Sequence, residues 1–338
     1  MPATPIDEED LQQRAATAVV AAMPGTALGP LRPLQGGMSS ITYRASLAPP
    51  EGPPEDVVIK VAPAGLAPTK NRDVLRQARL QRALTATGVP VPRVLASHPG
   101  QPPERPPFFI MSFELGDCVE PSSLKGDDRL PPQEVRERML DAARILGVLH
   151  ALNPESVGLA EGEPRVSLAE ELDRWVQSLA ACDEDLRVGD DVRDRLLATI
   201  PEPGRTAVIH GDFRLGNTLS TQDRVVSVID WEIWAIGDPR VDLAWFLMSC
   251  NPDERLNRVP ADGTPETDAL IDAYETARGE RVSDLDWFAA LVRYKQLAIT
   301  ALLIRNARRR GNTDHAEAML AAVHALHASA RHMLGMGD

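Results

Sequence analysis

The segment HGDFRLGN occupies residues 210–217, and a second acidic motif, IDWE, follows at residues 229–232. The apolar runs AVI and VVSV stand just before these motifs and indicate two short strands. Asp212, Asn217 and Asp230 thus bring two carboxylates and one amide into a short stretch of chain. Carboxylates can accept a proton from an alcohol, and carboxylate and amide oxygens both bind Mg²⁺. Phosphoryl transfer needs such groups together with a phosphate cradle and a positive charge, so the segment predicts that chemistry.

Each polar side chain of this segment has a candidate role. Asp212 is the candidate base, since its carboxylate can take the proton of an alcohol during transfer. Asn217 and Asp230 are candidate Mg²⁺ ligands, because this ion keeps several waters and needs few protein oxygens. His210 is expected to hold the loop through hydrogen bonds of its ring. A His-Gly-Asp sequence followed by Asn at this spacing arises by chance in roughly one such chain per thousand.

Composition restricts the class of protein. The chain has 338 residues, of which 43% are hydrophobic and 25% are charged, as is typical of a soluble globular protein. A net charge of −13 disfavours nucleic acid and anionic membranes as partners. Cys118, Cys182 and Cys250 lie far apart without CxxC spacing, which argues against a disulfide framework or zinc site and favours a cytoplasmic location. We find neither a secretory signal nor an apolar run of the ~18 residues that span a bilayer.

The first third of the chain predicts a small sheet with one important helix. Strands are indicated in LRPLQGGMSSITYRASL (31–47), DVVIKVAP (56–63) and PPFFIMSFELG (106–116). The segment NRDVLRQARLQRALTATG (71–88) has helical spacing of its apolar residues. An earlier helix is predicted in DEEDLQQRAATAVVAAM (7–23), which has an acidic start.

The remainder of the chain is predicted to be mostly helical, apart from the strands around HGDFRLGN. The helical segments are 132–153, 168–182, 242–249, 270–279, 284–310 and roughly 313–334. A turn near Gly116 is the expected boundary between the two parts.

Two features of the first third of the chain suit the binding of a nucleoside triphosphate. Gly36 and Gly37 in QGGMSS can turn tightly and point the following amides at phosphate oxygens, although a glycine pair is more often a plain hairpin turn. Lys60 stands in an otherwise apolar strand, and a buried ammonium needs an anion. The alternative for Lys60 is an edge strand on which it faces water.

Together these motifs resemble the aminoglycoside phosphotransferase family, which has a protein-kinase-like fold. HGDFRLGN is similar to its catalytic loop, and VIDWEIWAIGDPRVDLAWF (228–246) is similar to its metal-binding segment and following helix. GGMSSITYRA, VVIKVA and TGVPVPRVLA (87–96) resemble its nucleotide loop, its lysine strand and the run after its first-lobe helix. The match extends from about residue 30 to about residue 310.

The resemblance implies a two-lobed α+β fold with ATP or GTP and Mg²⁺ between the lobes. A small N-terminal antiparallel sheet with one key helix would occupy residues 1–110, including a leading helix within 1–26. Residues 111–117 would form the hinge, and residues 118–338 would form a larger, mainly helical lobe that binds the acceptor. The acceptor would be a hydroxyl group of a small molecule.

The resemblance also assigns site residues by position. Asp212 would be the catalytic base, and Asn217 and Asp230 the metal ligands, with a weaker contribution from Glu232. The nucleotide would contact Gly36, Gly37, Ser39, Ser40, Lys60, Gln77, Met111, Ser112, Phe113 and Glu114. Gly237, Asp238 and Asp242 are expected to shape a loop and cap a helix that starts near Asp242.

One position departs from the family pattern. The family usually pairs its strand lysine with a glutamate on the first-lobe helix, and Gln77 stands there in this chain. Gln77 supplies no charge, whereas Asp73 lies one turn earlier on the same face and could replace the glutamate. This hypothesis predicts that Asp73→Asn harms ATP use more than Gln77→Ala.

The acceptor is the least determined part of the sequence. Acidic residues in CDEDLRVGDD (182–191), with Asp284 and Asp286, could line a cleft for a cationic aminoglycoside, but acidic runs are usually solvated surface. A group of basic residues near the end of a predicted helix consists of Arg305, Arg308 and Arg309. These residues would suit a phosphate or carboxylate ligand, although basic residues are favoured at helix C-termini in any case. The tail from residue 284 resembles a branch found beside or fused to acyl-CoA dehydrogenases, which implies a hydroxyacyl or other metabolite.

Two other classes of protein compete with a small-molecule kinase. A nucleotide-binding pseudokinase that acts as a sensor or interaction module is favoured by Gln77 and opposed by Asp212, Asn217 and Asp230. A protein kinase is disfavoured, because no APE-like segment or activation loop follows Asp230. The sequence decides no oligomeric state.

Overall fold

The lobe that holds the N-terminus is built on one antiparallel sheet. The structure, a computed structural model, describes residues 5–34, 40–252 and 259–337. The strands of this sheet are β1 (Ala27–Leu28), β2 (Arg32–Leu34), β3 (Ile41–Ala48), β4 (Glu55–Val61), β5 (Val94–His98) and β6 (Phe108–Ser112). They run in the order β1-β3-β4-β6-β5, and β2 also pairs with β3. This confirms the predicted small antiparallel sheet.

Two helices cover the two faces of the sheet. α1 (Glu8–Ala22) packs through residues that recur at every fourth position. These are Leu11, Ala15 and Val19. α2 (Val74–Leu84) packs on the opposite face, because Phe108 joins the α1 cluster while its neighbour Phe109 joins the α2 cluster. Both helices lie where the sequence predicts them.

The rest of the chain forms a larger, mainly helical lobe, as predicted. Its helices in the described ranges are α3 (Pro132–Ala151), α4 (Leu168–Ala180), α5 (Asp190–Ala198), α6 (Arg240–Cys250), α7 (Thr267–Arg278), α8 (Leu285–Arg309) and α9 (Thr313–Met333). One apolar core joins α3 and α7, and a second joins α4, α5, α8 and α9. α6 contributes Leu243 and Phe246 to the first core and Trp245 to the second, so it lies between them.

α3 and α7 approach each other closely at one glycine. A Cβ added to Gly147 would lie 2.4 Å from the carbonyl oxygen of Tyr274, so any side chain there would push the helices apart. Such a contact requires glycine for reasons of space alone, since Gly147 lies within an ordinary helix.

α8 is the longest helix of the described residues. It has the length and apolar composition of a membrane span, but 72% of its most apolar stretch is buried within the fold. A helix that is apolar on most sides and packed against α4, α6 and α9 has the properties of a core helix.

Short strands between α5 and α6 hold the HGDFRLGN and IDWE motifs. β7 (Ala207–Ile209) pairs with β10 (Ala235–Gly237), and β8 (Thr218–Thr221) pairs with β9 (Arg224–Val228). The first motif therefore fills the turn from β7 to β8, and the second follows β9. This confirms the predicted strand–loop–strand arrangement and brings the ends of β7 and β9 together.

Candidate active site

A cleft of about 480 Å³ lies between the two lobes. Apolar side chains, including Val58, Leu219 and Ile229, form part of its wall, as the flat face of a nucleotide base requires. Seven residues that the sequence assigned to nucleotide or metal also line it. They are Lys60, Met111, Ser112, Phe113, Glu114, Asn217 and Asp230. The structure thus gathers residues from β4, β6 and the two loops after β7 and β9 around one cavity.

An ion pair crosses this cleft. Lys60 Nζ, on β4, lies 3.2 Å from Asp230 Oδ1. Only 8% of the Lys60 surface is exposed. Asp230 takes a left-handed backbone conformation with φ of 63°, which is uncommon outside glycine and often marks a functional residue. The anion that Lys60 requires is therefore the Asp230 carboxylate. A bound phosphate, as the sequence predicts, would either displace this carboxylate from Lys60 or contact the ammonium beside it.

Asp212 is held by two donors, one on each carboxylate oxygen. Asn217 Nδ2 donates to Asp212 Oδ2 at 2.8 Å and also to the Asp212 carbonyl oxygen at 2.8 Å. Trp245 Nε1 donates to Asp212 Oδ1 at 2.7 Å, and Arg214 Nε lies 3.5 Å from the same oxygen. The side chain remains 31% exposed, so the carboxylate is fixed in orientation but open to a ligand.

Hydrogen bonds of the His210 ring hold the loop, as predicted. Nε2 lies 2.8 Å from the Ile229 carbonyl oxygen, and Nδ1 accepts from the Asp212 backbone N–H at 3.2 Å. These bonds fit a neutral ring that carries its proton on Nε2. The ring is fully buried, 4.5 Å from the Trp231 ring centroid. His210 therefore ties the end of β7 to the end of β9 and keeps Asp212 and Asp230 together.

The predicted role of Asp242 as a helix cap is wrong. α6 begins at Arg240, so Asp242 lies in its first turn, where it accepts from His210 N at 2.5 Å and Gly211 N at 2.8 Å. Burial alone would raise the pKa of Asp242, but hydrogen bonds from His150 and the backbone outweigh it and lower the pKa. Asp242 is therefore a buried carboxylate that orders residues 210–217, which are called the catalytic loop after the family segment that they resemble. Asp238 does act near the start of α6, by accepting from the Arg240 backbone N–H at 3.0 Å.

Gly211 must be glycine in this loop. Its φ is +87°, and a Cβ there would lie 2.8 Å from the Ile233 carbonyl oxygen. The loop therefore turns sharply between His210 and Asp212, which sends their side chains in different directions.

The structure gives Asp73 a different role from the one proposed for it. Its carboxylate accepts from the Arg76 backbone N–H at 3.0 Å and caps α2. Gln77 is 1% exposed; its Nε2 lies 3.4 Å from the Asn71 carbonyl oxygen, and its Oε1 has no hydrogen-bond partner within the described ranges. Asp230 supplies the carboxylate that meets Lys60, so replacement of the family glutamate by Asp73 is not supported.

α2 is instead attached to the larger lobe by arginine. Arg76 donates to Glu163 at 2.9 Å and to the Trp234 carbonyl oxygen at 2.8 Å, and Arg79 also pairs with Glu163. The Glu163 side chain is 5% exposed, so this contact is largely shielded from water. It links the first-lobe helix to the segment that follows Asp230.

Several of the predicted residues remain predictions. Gly36, Gly37 and Ser39 lie outside the described residues. Ser40 is 6% exposed, and its hydroxyl has no hydrogen-bond partner among the residues the structure describes. Glu232 lies in a short 3₁₀ helix, Trp231–Ile233, directly after Asp230.

A second cavity, of about 410 Å³, is lined in part by Arg214 of the catalytic loop. Its apolar wall includes Met248, Leu303, Met319 and Leu326, from α6, α8 and α9. Polar groups there include Ser122, Ser123, Ser249, Gln296 and Thr300. The charged side chains of its described lining are Glu120 and Arg214, which lie 3.5 Å apart. Burial raises the pKa of Glu120, with Arg214 acting in the opposite direction.

The two charged segments proposed for the acceptor are bonded to each other instead. Arg308 on α8 pairs with Asp183 at 3.2 Å and with Asp185 at 2.8 Å. Arg305 donates to the Ala181 carbonyl oxygen at 2.9 Å, and Asp284 lies 3.1 Å from Arg240. Neither segment contributes to the lining of the second cavity. These charges hold the end of α8 against the α4–α5 connection.

Two residues of the site were missed by the sequence analysis. Trp245 follows the metal-binding motif within an apolar helical run, where an aromatic residue indicates only a core position. Lys295 is a lone lysine in the apolar centre of α8, the same signal that singled out Lys60. Its Nζ donates to the Gly211 carbonyl oxygen at 2.5 Å.

The residues at the cleft fit an Mg²⁺ ion that is shared with a nucleotide. No group of three His, Cys, Asp or Glu side chains gathers as a metal site in residues 5–34, 40–252 and 259–337. Asn217 turns its amide nitrogen to Asp212, which leaves its oxygen for another partner, and Asp230 adds a carboxylate. One amide and one carboxylate suit a cation that completes its shell with phosphate and water.

Comparison with protein families gives a match over most of the chain. The model of the phosphotransferase enzyme family matches residues 30–291. Among curated proteins, acyl-CoA dehydrogenase family member 10 of Mus musculus is 28% identical over 228 residues, covering 65% of this chain and 20% of that protein. Member 11 of Homo sapiens is 27% identical over 255 residues, covering 72% of this chain and 32% of that protein. The chain thus spans a third or less of these relatives, which confirm the resemblance to the acyl-CoA dehydrogenase-associated branch.

Solved structures show the same fold. A protein from Ralstonia eutropha assigned to the aminoglycoside phosphotransferases has a TM-score of 0.73 and 22% identity, covering 96% of this chain and 99% of that one. An aminoglycoside phosphotransferase in a ternary complex with ADP and hygromycin B has a TM-score of 0.60 and 16% identity, covering 98% and 99%. At these identities the likeness establishes the kinase-like fold alone.

Proposed function

This chain belongs to the phosphotransferase enzyme family, and we propose that it transfers the γ-phosphate of ATP, with Mg²⁺, to a hydroxyl group of a small molecule. One observation carries the proposal. Asp212 is bonded on one oxygen to Asn217, which lines the interlobe cleft, and on the other to Trp245, which lines the second cavity. A base between a nucleotide cleft and an acceptor cavity is the arrangement that direct transfer between two bound substrates requires.

Each charged residue has a role in this proposal. Lys60 binds the phosphates, as a buried ammonium across the cleft from the catalytic loop can do. Asp212 accepts the proton of the acceptor hydroxyl as the bond to phosphorus forms. Asn217 and Asp230 would hold Mg²⁺, which neutralises phosphate charge when it is bound. Arg214 lies within 3.5 Å of both Asp212 and Glu120 and can face negative charge on the transferred group.

The cavity also bears on the acceptor. Among the residues that the structure describes, one acidic and one basic side chain of the cavity face each other, and the rest of the described lining is apolar or neutral. A polycationic aminoglycoside would require several carboxylates there. We therefore propose a neutral or singly charged alcohol with an apolar portion, such as a hydroxyacyl compound or another metabolite. The ternary complex with hygromycin B concerns the related protein and does not assign that acceptor to this chain.

A screen for ADP release tests this function. Candidate alcohols, including aminoglycosides and hydroxyacyl-CoA compounds, are incubated with the protein, MgATP or MgGTP, and product is identified by mass. The proposal expects Mg²⁺-dependent phosphorylation of an alcohol with an apolar portion and little or none of aminoglycosides. Release of ADP without any phosphorylated alcohol, across the whole panel, would contradict it.

A nucleotide-binding pseudokinase is the second candidate, and Gln77 is the observation that favours it. Lys60 has no glutamate partner on α2, since Gln77 occupies that position and Asp73 caps the helix. Nucleotide binding with no turnover on any alcohol would support this alternative. We further propose, from charge and cysteine usage alone, a cytoplasmic protein without nucleic-acid or membrane partners.

A further inference from the structure

Trp245 connects the acceptor cavity directly to the base. It is 7% exposed, lines the cavity from α6, and its indole N–H donates to Asp212 Oδ1 at 2.7 Å. A hydrogen bond to a charged oxygen is stronger than one between neutral groups. Because Asn217 donates to the other oxygen, the two bonds together fix the plane of the carboxylate.

Lys295, on α8, contacts both Trp245 and the catalytic loop. It is 3% exposed, its Nζ is 4.1 Å from the Trp245 ring centroid, and it donates to the Gly211 carbonyl oxygen at 2.5 Å. Burying an ammonium is costly unless anions, dipoles or aromatic faces compensate it. The lysine therefore holds two elements in place: the backbone just before Asp212 and the ring that bonds to Asp212.

From these contacts, and resting on the proposed function, we propose that Trp245 and Lys295 are positioning residues for phosphoryl transfer. Trp245 sets the direction of the Asp212 carboxylate through Oδ1, and Lys295 fixes Trp245 and Gly211. An acceptor that enters the cavity then meets a base whose orientation is set before binding, which is the condition for fast proton transfer. The same indole forms part of the acceptor wall, so correct seating of the acceptor and of the base depends on one side chain.

The molecule contains a matched control for this role. Trp175 on α4 also packs against Lys295, with Nζ 5.4 Å from its ring centroid. Its indole N–H donates to Glu171 Oε1 at 2.8 Å and not to Asp212. Trp175→Phe and Trp245→Phe thus remove the same group beside the same lysine, but only the second removes a bond to the base.

The first experiment does not depend on turnover. In ¹⁵N-labelled protein, Trp245→Phe and Trp175→Phe identify the two indole N–H signals. In Asp212→Ala, the Trp245 signal should move upfield because its charged acceptor is lost, while the Trp175 signal stays in place. An unmoved Trp245 signal would overturn the proposal, whatever the enzyme phosphorylates.

The second experiment measures kinetics with MgATP and the alcohol found in the screen. Trp245→Phe should lower kcat by about 10- to 100-fold, the range for loss of a hydrogen bond to a charged group, with KM for ATP unchanged. Trp175→Phe should stay near wild type. Lys295→Met should also lower kcat, and adding it to Trp245→Phe should cost less than the product of the two effects.

The Asp212→Ala background separates positioning from a general structural role. There, with the acceptor at saturation, Trp245→Phe should leave the residual kcat unchanged, because the indole has no carboxylate to orient. An equal loss in both backgrounds, or an equal loss in Trp175→Phe, would overturn the proposal. If no alcohol is phosphorylated by the wild type, the proposed function fails, and the indole signals still decide whether Trp245 holds Asp212.

Discussion

The two cavities that the catalytic loop helps to line are built in different ways. The interlobe cleft takes its charged residues from short motifs, and Lys60 and Asp230 form an ion pair across it. The acceptor cavity takes Glu120 from the start of the larger lobe, Arg214 from the loop, and apolar residues from α6, α8 and α9. Within the described lining, these two charges are paired with each other and the other residues are apolar or neutral. Under the proposed function, the cleft would bind phosphate and metal, and the cavity would select an alcohol by its shape and polarity.

This difference predicts that changes in the cleft act on the rate of transfer, whereas changes in the cavity that leave Trp245 intact act on the choice of acceptor. The predictions below test that division, beginning with the largest effect.

Asp230→Ala should reduce Mg²⁺-dependent turnover to the background rate. The change removes a proposed metal ligand and the carboxylate that faces Lys60. Initial rates at several Mg²⁺ concentrations measure it, with exposed Asp223→Ala as the control. If a higher Mg²⁺ concentration restored the wild-type rate in Asp230→Ala, Asp230 would not be required for turnover.

Asp212→Ala should lower kcat by ~10²–10⁴ while leaving nucleotide affinity intact, because it removes the base but no part of the cleft wall. Calorimetric titration of MgADP and single-turnover kinetics measure the two quantities separately. A near-native rate would contradict the assignment of the base.

Leu303→Asp should raise KM for the acceptor by about five- to tenfold and leave KM for ATP unchanged. Leu303 lines the acceptor cavity and is 45% exposed, so a carboxylate fits there but opposes an apolar or anionic ligand. Leu197→Asp, on another exposed leucine at 49%, is the matched control. An equal rise of KM for ATP would break the division between the two cavities.

Asp73→Ala should lower the free energy of unfolding by about 1 kcal/mol and leave ATP use unchanged, because Asp73 caps α2. Asp73→Asn keeps a capping oxygen and should be near wild type in both respects. Thermal unfolding and ATP kinetics of the two variants measure this. A loss of ATP affinity in Asp73→Asn, larger than in Gln77→Ala, would restore the charge-compensation hypothesis.

Glu120→Gln should produce the smallest effect, a change in the pH dependence of stability. Because burial raises the pKa of Glu120 in the folded protein, the wild type loses stability as pH rises through that folded pKa. The neutral Gln variant does not lose stability in this way. The difference in Tm, variant minus wild type, should therefore become more positive as the pH rises from acidic to neutral. A difference in Tm that is constant or decreases with pH would show that the Glu120 charge is well accommodated.

Most of the fold was predictable from the sequence, because local patterns determine it. Alternating apolar residues indicated β3, helical spacing indicated α1 and α2, and a fixed spacing of polar residues marked the catalytic loop. Asp212, Asn217 and Asp230 stand in one short block whose four strands pair locally, β7 with β10 and β8 with β9. Lys60 could be found because a lysine in an apolar strand needs an explanation.

The rest of the site depends on contacts between distant parts of the chain. Asp242 fits the pattern of a helix cap in the sequence, and only tertiary structure turns its carboxylate to the backbone of the catalytic loop. Arg308 and Asp185 looked like two separate surfaces because 123 residues separate them, yet they form one ion pair. Trp245 has no local signature that distinguishes a core residue from one that touches the base, and the lone Lys295 signals a buried charge without showing that it bonds to the backbone of the loop.

The central claim is that a nucleotide in the interlobe cleft presents its γ-phosphate to Asp212 at the entrance of the acceptor cavity. The structure of the complex with Mg²⁺ and a non-hydrolysable ATP analogue tests it most directly. We predict phosphates between Lys60 and Asp230, Mg²⁺ on Asn217 and Asp230, and the γ-phosphate facing Asp212 on the side of Trp245. Phosphates bound away from Lys60 and Asp230, or a γ-phosphate directed away from the acceptor cavity, would contradict the claim.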